Sequence, residues 1–171
     1  PVEELIKKQK LTKYKKPLLS LIRRAVGFKQ IEQEDYKDLG NHRFGGRPDL
    51  PQHIDYPAFY DKDEKKRFHY EFIAQINCED IAPLQDYLPR RGSLFFFFKS
   101  IHFFGYDTSN LAQVIYVEDN STLCSGTRFQ LQEEDFFELL DGQYTPQKAQ
   151  AFPTVSTPSF FAYYQNSYLF E

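Results

Sequence analysis

The sequence predicts an α+β fold, in which a basic N-terminal helix and a few short helices accompany a sheet of several strands. Residues 68–77 alternate in polarity as a strand does, with aromatic and aliphatic side chains on one face. Residues 93–99 contain four consecutive phenylalanines, which suit a strand covered on both faces. Residues 113–118 form a further apolar strand, and residues 128–131 could add another.

Short helices are predicted beside these strands. Residues 79–87 follow Asn77, a residue type that often caps a helix N-terminus. Residues 133–140 begin with acidic side chains, continue with apolar ones and precede a glycine. Residues 145–171 form a C-terminal segment rich in proline, serine and glutamine. Its apolar stretch near residues 160–164 either pairs into the sheet or marks a shortened chain.

The N-terminal region predicts a short amphipathic helix over residues 1–16. Glu3 and Glu4 lie in its first turn and lysines follow, as the helix dipole favours, and Pro17 is expected to end it. Residues 17–26 fit a helix or a buried strand, because their apolar side chains satisfy both spacings. Residues 29–40 are polar and acidic and indicate a surface loop.

Composition indicates one globular domain over residues 1–171. Hydrophobic residues make up 41% of the chain, and 18 Phe and 12 Tyr must fill most large core positions because Met and Trp are absent. The net charge of -3 disfavours nucleic acid as a partner. Residues 1–30 hold nine basic and two acidic side chains, whereas the remainder holds twelve and twenty-two. We expect the basic segment to dock on the acidic body or stay solvated, in preference to contacting a membrane or RNA.

The two cysteines predict a reducing, cytoplasmic environment. Cys78 and Cys124 do not form a CxxC pair, so free buried thiols are expected. No secretory signal pattern is visible, and the longest apolar run, residues 94–98, is far shorter than the ~20 residues of a membrane span.

Residues 41–51, which we call the glycine loop, form the most unusual stretch of the sequence. Two adjacent glycines, two arginines and two prolines lie within these eleven residues. Gly45 and Gly46 permit backbone angles that side chains forbid. The candidate ligand-binding residues are those of the loop with a polar or special backbone role, together with one glutamine from the following strand: Arg43, Gly45, Gly46, Arg47, Asp49 and Gln75.

Two interpretations of the glycine loop remain open. Its backbone amides and arginines could form an anion site, since arginine grips phosphate or carboxylate with two parallel bonds. Alternatively, the glycines allow close packing and the arginines pair with the protein's own acids, which we favour because no phosphate-loop or dinucleotide motif is present. Gln75 lies in an apolar strand and must be satisfied, either by the backbone of the glycine loop or by a ligand.

No catalytic residue, metal site or cofactor is predicted. The histidines lack zinc-like spacing, although the two that flank the glycine loop could share a site with Asp49 or Asp55. Neither cysteine lies in a recognisable nucleophile motif. The paired carboxylates resemble helix starts, where acids serve the dipole. The histidines are His42, His53, His69 and His102.

Four ordered motifs resemble the YwqG-like family of uncharacterised bacterial proteins. Residues 42–51 (HRFGGRPDLP) are similar to the family hallmark S-[KR]-[FL]-G-G-x-P-x-L-P, and Tyr56-Pro57 stands where relatives carry Trp-Pro. Residues 72–77 (FIAQIN) resemble F-[IL]-A-Q-[IL]-[ND], and residues 88–97 (LPRRGSLFFF) resemble L-P-x-x-G-x-L-x-F-F. The match runs in register over roughly residues 40–100. His42 in place of serine and Tyr56 in place of tryptophan are the departures.

The resemblance implies an α+β domain dominated by antiparallel strands, with a strand around residues 18–22. Relatives usually continue past the equivalent of Phe160, so the chain is expected to be a shortened member. The family has no established chemistry, and some relatives occur in bacterial toxin–immunity neighbourhoods. The resulting hypothesis is a non-enzymatic protein-interaction module that neutralises a toxin or self-associates. The alternative is a small-anion-binding protein or enzyme that uses the glycine loop.

Overall fold

The computed structural model describes residues 2–62, 64–99, 111–132, 135–136 and 145–156. The chain separates into two compact units. One comprises Phe28–Phe152, and the other comprises Pro1–Gly27 with Pro153–Glu171. The single-domain organisation stays a prediction, and the two units are described in turn.

Residues 2–21 form three short helices, whereas the sequence predicts one helix over residues 1–16. Helix α1 spans Val2–Lys8, a short 3-10 helix spans Thr12–Tyr14, and helix α2 spans Lys15–Leu21. The prediction that Pro17 ends a helix is wrong, because Pro17 lies in the first turn of α2. A proline is tolerated there, since the amides of a first turn have no intrahelical acceptor.

The strand expected around residues 18–22 is also wrong, because most of that stretch lies in α2. Strand β1 begins afterwards and spans Arg23–Gln33. It therefore replaces the first part of the surface loop predicted for residues 29–40. Its last five residues are exposed, and all but Ile31 are polar, so the sequence carries little apolar signal for a strand there.

The α+β class and the mainly antiparallel sheet are confirmed. Among the described residues, six strands form one sheet in the order β1-β8-β2-β5-β6-β7, and β3 with β4 forms a separate hairpin. Antiparallel pairing joins β8 to β2, β2 to β5, β5 to β6 and β6 to β7. The remaining strands are β2 Arg43–Phe44, β3 Ala58–Asp61, β4 Lys66–His69, β5 Glu71–Asn77, β6 Ser93–Phe98, β7 Ala112–Val117 and β8 Gln147–Ser156.

The strand predicted over residues 68–77 is two strands with a bulge. It breaks at Tyr70, and the register of β5 against β6 shifts between Phe72 and Ala74. The shift turns Ile73 outward, where it is 40% exposed. Because of the shift, Gln75 and Phe72 lie on the same face of the sheet, whereas strict alternation predicts opposite faces for them.

The core is aromatic, as the composition predicts. Phe95 and Phe97 of β6 are buried, and Phe72 of β5 lies against Phe97. Tyr56 meets Phe97 edge to face, with ring centroids 5.6 Å apart. Phe98 is 38% exposed, so the second face of β6 is covered only in part.

The helix predicted over residues 79–87 is one turn, α3, which spans Cys78–Ile81. Its predicted cap is confirmed, since Asn77 Oδ1 accepts from Glu79 N at 3.0 Å. Pro83 follows closely and has no backbone N–H, so it cannot donate the hydrogen bond that would extend the helix. Both cysteines are free, but only Cys78 is buried; Cys124 is half-buried.

Other predictions meet mixed outcomes. Residues 113–118 are a strand within one residue of the prediction, whereas residues 128–131 are not, since Gly126–Arg128 forms a 3-10 helix instead. Near the start of the C-terminal segment 145–171, residues Gln147–Ser156 form strand β8, which the sequence did not predict. Most of the helix predicted over residues 133–140 and all of residues 160–164 lie outside the described residues. Within the described part, the helices are too short and too polar to cross a membrane.

Candidate functional site

The glycine loop begins inside the sheet, because its arginine belongs to β2. Arg43 pairs with Lys148 of β8 on one side and with Gln75 of β5 on the other. Gln75 pairs in turn with Phe95 of β6. A cation and an amide thus lie in a row across the middle of the sheet, and both are fully buried, with exposures of 0% and 1%. Buried polar groups of this kind require partners inside the protein.

The guanidinium of Arg43 has carboxylates on two sides. Its NH1 and NH2 groups donate to the two oxygens of Asp49 at 3.1 and 3.0 Å, a bidentate pair. Its Nε donates to Glu34 Oε2 at 2.7 Å, and NH1 also donates to the carbonyl of Arg47 at 2.6 Å. All three charged side chains are completely buried. One cation therefore faces two anions in the interior.

The carboxylate of Asp49 is saturated by internal donors. Besides Arg43, Oδ2 accepts from Gly40 N at 3.0 Å and from Gln75 Nε2 at 2.8 Å. Its Oδ1 accepts from Gly126 N at 3.0 Å, across 77 residues of chain. These five donors use the acceptor sites of a carboxylate, so Asp49 has no lone pair directed at a ligand.

Gln75 joins the strand to the glycine loop, as predicted. Its Oε1 accepts from the backbone N of Asp49 at 2.9 Å, and its Nε2 donates to the carbonyl of Asn41 at 3.0 Å. The hydrogen bond to the backbone of the loop is therefore confirmed. We call Glu34, Arg43, Asp49 and Gln75 the Arg43 cluster.

Glu34 and Tyr36 contact Arg43, but neither was predicted from the sequence as a site residue. Glu34 accepts from Arg43, from Asn41 Nδ2 at 2.8 Å and from Tyr36 N at 2.6 Å. The ring of Tyr36 lies under the guanidinium of Arg43, 4.5 Å from its central carbon. Both residues come from a polar stretch interpreted as a surface loop. The one general rule that could have indicated Glu34 is that a buried arginine needs more than one carboxylate or carbonyl partner.

The glycines serve the backbone of the loop. Gly45 and Gly46 have φ of 68° and 74°, in the left-handed region that side chains rarely adopt. Gly45 N donates to the carbonyl of Ile73 at 2.9 Å, and Arg47 N donates to Tyr36 Oη at 3.1 Å. Two amides of the expected anion-binding nest are therefore already used internally.

The side chain of Arg47 differs from that of Arg43. It is half-buried, and within the described parts of the chain it forms no hydrogen bond, ion pair or ring contact. Its carbonyl and amide are both engaged by the loop itself. Of the candidate residues, Arg47 is the one whose charged group stays available to a ligand.

His42 is buried beside the cluster and has no role in it. Its Nδ1 accepts from Asn77 N at 3.1 Å, and its ring meets Phe28 edge to face. Its Nε2 has no hydrogen-bond partner among the described residues and lies 3.7 Å from Asp80 Oδ2. Burial lowers the pKa of His42, and the charge of Asp80 opposes this shift only in part. The imidazole is therefore held neutral, with the proton on Nε2.

Two further candidates from the sequence, Cys78 and His53, form no described hydrogen bond with the Arg43 cluster. Burial raises the pKa of Cys78 to about 11, so its thiol is not a ready nucleophile. His53 is exposed, and the polar contacts of His42 are to Asn77 and Asp80 rather than to Asp49. Among the described residues, no group of three or more His, Cys, Asp or Glu side chains could hold a metal ion.

The fold and this cluster define an α+β protein whose glycine loop is held to a mainly antiparallel sheet by buried ionic and amide hydrogen bonds. Residues 42–168 match the family model described as a domain of unknown function, DUF1963. The match covers most of the chain, which therefore belongs to this family. No curated protein matches the chain significantly.

Proposed function

We propose that this chain is a YwqG-like, cytoplasmic protein-binding module without enzymatic activity. The observation that carries the proposal is the saturation of the Arg43 cluster. The polar residues of the family-like motif that were the best candidates for ligand contacts bond to one another and to the backbone. These residues act as a structural clamp, by which we mean that they fix the glycine loop to the sheet. This structural role supports a function located on the outer surface of the protein.

An enzyme would need an accessible side chain that has a suitable pKa and a donor or acceptor not already engaged within the protein. Arg43, Asp49 and Gln75 have their donors and acceptors engaged, and all three are buried. Rearranging them for a substrate would leave buried charges unpaired, at a cost of several kcal/mol. These considerations favour binding over catalysis.

The partner class follows from the resemblance to YwqG-like proteins found in toxin–immunity neighbourhoods. A protein that neutralises a toxin acts by stoichiometric contact and needs no catalytic centre. The absence of free polar groups in the Arg43 cluster is compatible with that role. The general proposal is that the chain binds another protein, and the specific proposal is that this protein is a toxin.

A second candidate function rests on Arg47. Its half-buried guanidinium has no partner among the described residues. A small anion, such as a phosphate or a carboxylate, would fit an arginine of this kind. This candidate needs only Arg47 and leaves the Arg43 cluster intact.

Thermal unfolding with and without inorganic phosphate and small dicarboxylates separates the two candidates. A ligand at about 100 times its Kd would stabilise the protein by about 2.7 kcal/mol and raise its Tm by several degrees. We expect no rise in Tm beyond that given by a chloride salt of matched ionic strength. A specific rise that disappears in Arg47→Ala would establish the anion site instead.

The complementary measurement uses purified proteins from the same genomic neighbourhood. We expect one of them to form a stoichiometric complex with the full chain, detected by light scattering after gel filtration. The Arg47→Ala variant serves as the control, and we expect it to bind equally well. Failure of every neighbour to bind, together with a specific anion effect, would overturn the protein-binding proposal.

A further inference from the structure

Strand β7 lies at one edge of the sheet that the described residues form. It ends the six-stranded sheet, and no described strand pairs with its outer side. Its six residues, AQVIYV, include no charged residue and no proline. Charges and prolines are the usual devices that prevent an edge strand from pairing with another chain.

The opposite edge of the sheet is protected in the usual way. Strand β1 carries four charged side chains along its length: Arg23, Arg24, Lys29 and Glu32. The two edges of one sheet therefore differ in chemistry. The contrast singles out β7 as the edge that is suited to an added strand.

The side chains of β7 support the same conclusion. Val114 and Tyr116 lie on one face of the strand, and they are 53% and 44% exposed. Their neighbour Phe98 on β6 is 38% exposed, and it pairs with Ala112. Tyr116 Oη donates to the carbonyl of Arg91 at 3.1 Å, so the ring is fixed in place. A prearranged aromatic side chain loses little entropy on binding.

We propose that β7 pairs with β7 of a second copy of this chain, antiparallel about a twofold axis, to form a continuous sheet across two molecules. The proposal rests on the protein-binding function above and names its partner as a second copy. A register centred on Ile115 places Val114 opposite Tyr116 of the other copy, twice by symmetry. Pairs of β-branched and aromatic side chains are favourable across strands.

Charge favours a second copy over an acidic or basic peptide. With Ile115 at the centre, Gln113 faces Val117 and Ala112 faces Glu118, so no charge opposes a like charge. The occupant that β7 fits is therefore an uncharged, mainly apolar strand, and β7 itself, with the sequence AQVIYV, has that composition.

Sedimentation of the full chain over a range of micromolar concentrations tests the pairing. We expect the mass to rise from one copy to two as the concentration increases. Val114→Lys places a charge on the edge and should keep the chain monomeric throughout. Tyr60→Lys is the matched control, because Tyr60 is 63% exposed on the separate hairpin, and this variant should dimerise like the unmodified chain.

Circular dichroism establishes that the variants are folded, and Tyr116→Lys provides a second edge variant if Val114→Lys is not. A chain that stays monomeric at every concentration, or a folded edge variant that still dimerises, overturns the self-pairing. A monomeric chain that binds a different protein, and loses that binding in Val114→Lys, also overturns self-pairing. That last result would leave the protein-binding function intact.

Discussion

At the scale of single residues, the feature that needs explanation is a cation buried completely in the middle of a sheet. Arg43 is tolerated there because Asp49 and Glu34 neutralise it and its Nε, NH1 and NH2 groups all donate to internal oxygens. Such a cluster adds little net stability relative to a hydrophobic replacement. However, any conformation that separates its charged groups leaves buried charges unpaired and is higher in free energy. We infer that it specifies the path of the glycine loop.

His42 gives a residue-scale prediction for pH dependence. Burial lowers its pKa below the ordinary value of about 6.5, so the unfolded chain takes up a proton first as the pH falls. The stability that depends on neutral His42 is complete above pH 6.5 and is lost as the pH falls towards the folded-state pKa. Protonation of Nδ1 would also remove the acceptor of Asn77 N.

Urea unfolding between about pH 7.5 and 5.5 measures this effect, which can reach ~1.4 kcal/mol per pH unit for one proton. We expect His42→Asn to show a shallower decline than the unmodified chain, while the exposed control His53→Asn keeps the original slope. Equal slopes in all three proteins would show that His42 does not titrate with folding.

At the scale of elements, the glycine loop is fastened at several points rather than packed by apolar contact alone. Asp49 receives bonds from Gly40 and from Gly126, which are far apart in sequence. A second polar cluster holds β8, where Lys148 is within 3.4 Å of three carboxylates and is 11% exposed. The pKa of Lys148 is raised by its bonds to Asp35 and Asp38. An ionic cluster thus holds β8 on one side of β2, and the amide of Gln75 joins β5 on the other side to the glycine loop.

The tightest turn of the loop gives an element-scale prediction. A Cβ atom on Gly46 would lie 2.3 Å from Tyr36 Oη and 2.7 Å from Pro146 Cβ, and φ there is +74°. Gly40 has a similar φ of +70°, but its Cβ would meet only a leucine methyl at 3.0 Å. We expect Gly46→Ala to lose roughly 2–4 kcal/mol, from strain and overpacking together.

Gly40→Ala is the control with similar backbone strain and a milder side-chain clash, and it should lose about 1–2 kcal/mol. Chemical denaturation of both variants compares them directly. If Gly46→Ala is as stable as Gly40→Ala, the close approach of Tyr36 to the loop is not important for folding.

At the scale of the whole molecule, local signals predicted the fold class and the strands with clear patterns. Residues 93–99 and 113–118 were recognised because their apolar side chains are contiguous, and Asn77 was recognised as a cap from its position. Gln75 was linked to the glycine loop because a buried amide needs partners. These inferences required only neighbouring residues or a general rule about burial.

The failures share a non-local cause. Strand β8 carries polar residues and a proline, and its position beside β2 is set by pairing across more than a hundred residues. Glu34 could not be identified as the second partner of Arg43, because nothing in its own segment distinguishes it from a surface acid. The bulge at Ile73 depends on the register with β6, which alternation cannot reveal.

The most direct test of the structural role of the glycine loop is the unfolding free energy of Arg43→Ala compared with Arg47→Ala. Removing Arg43 leaves two buried carboxylates without their cation, so we expect a loss of about 3–5 kcal/mol. Removing the half-exposed side chain of Arg47 should change stability by less than about 0.5 kcal/mol. Equal losses in the two variants, or an unchanged stability of Arg43→Ala, would contradict the structural clamp.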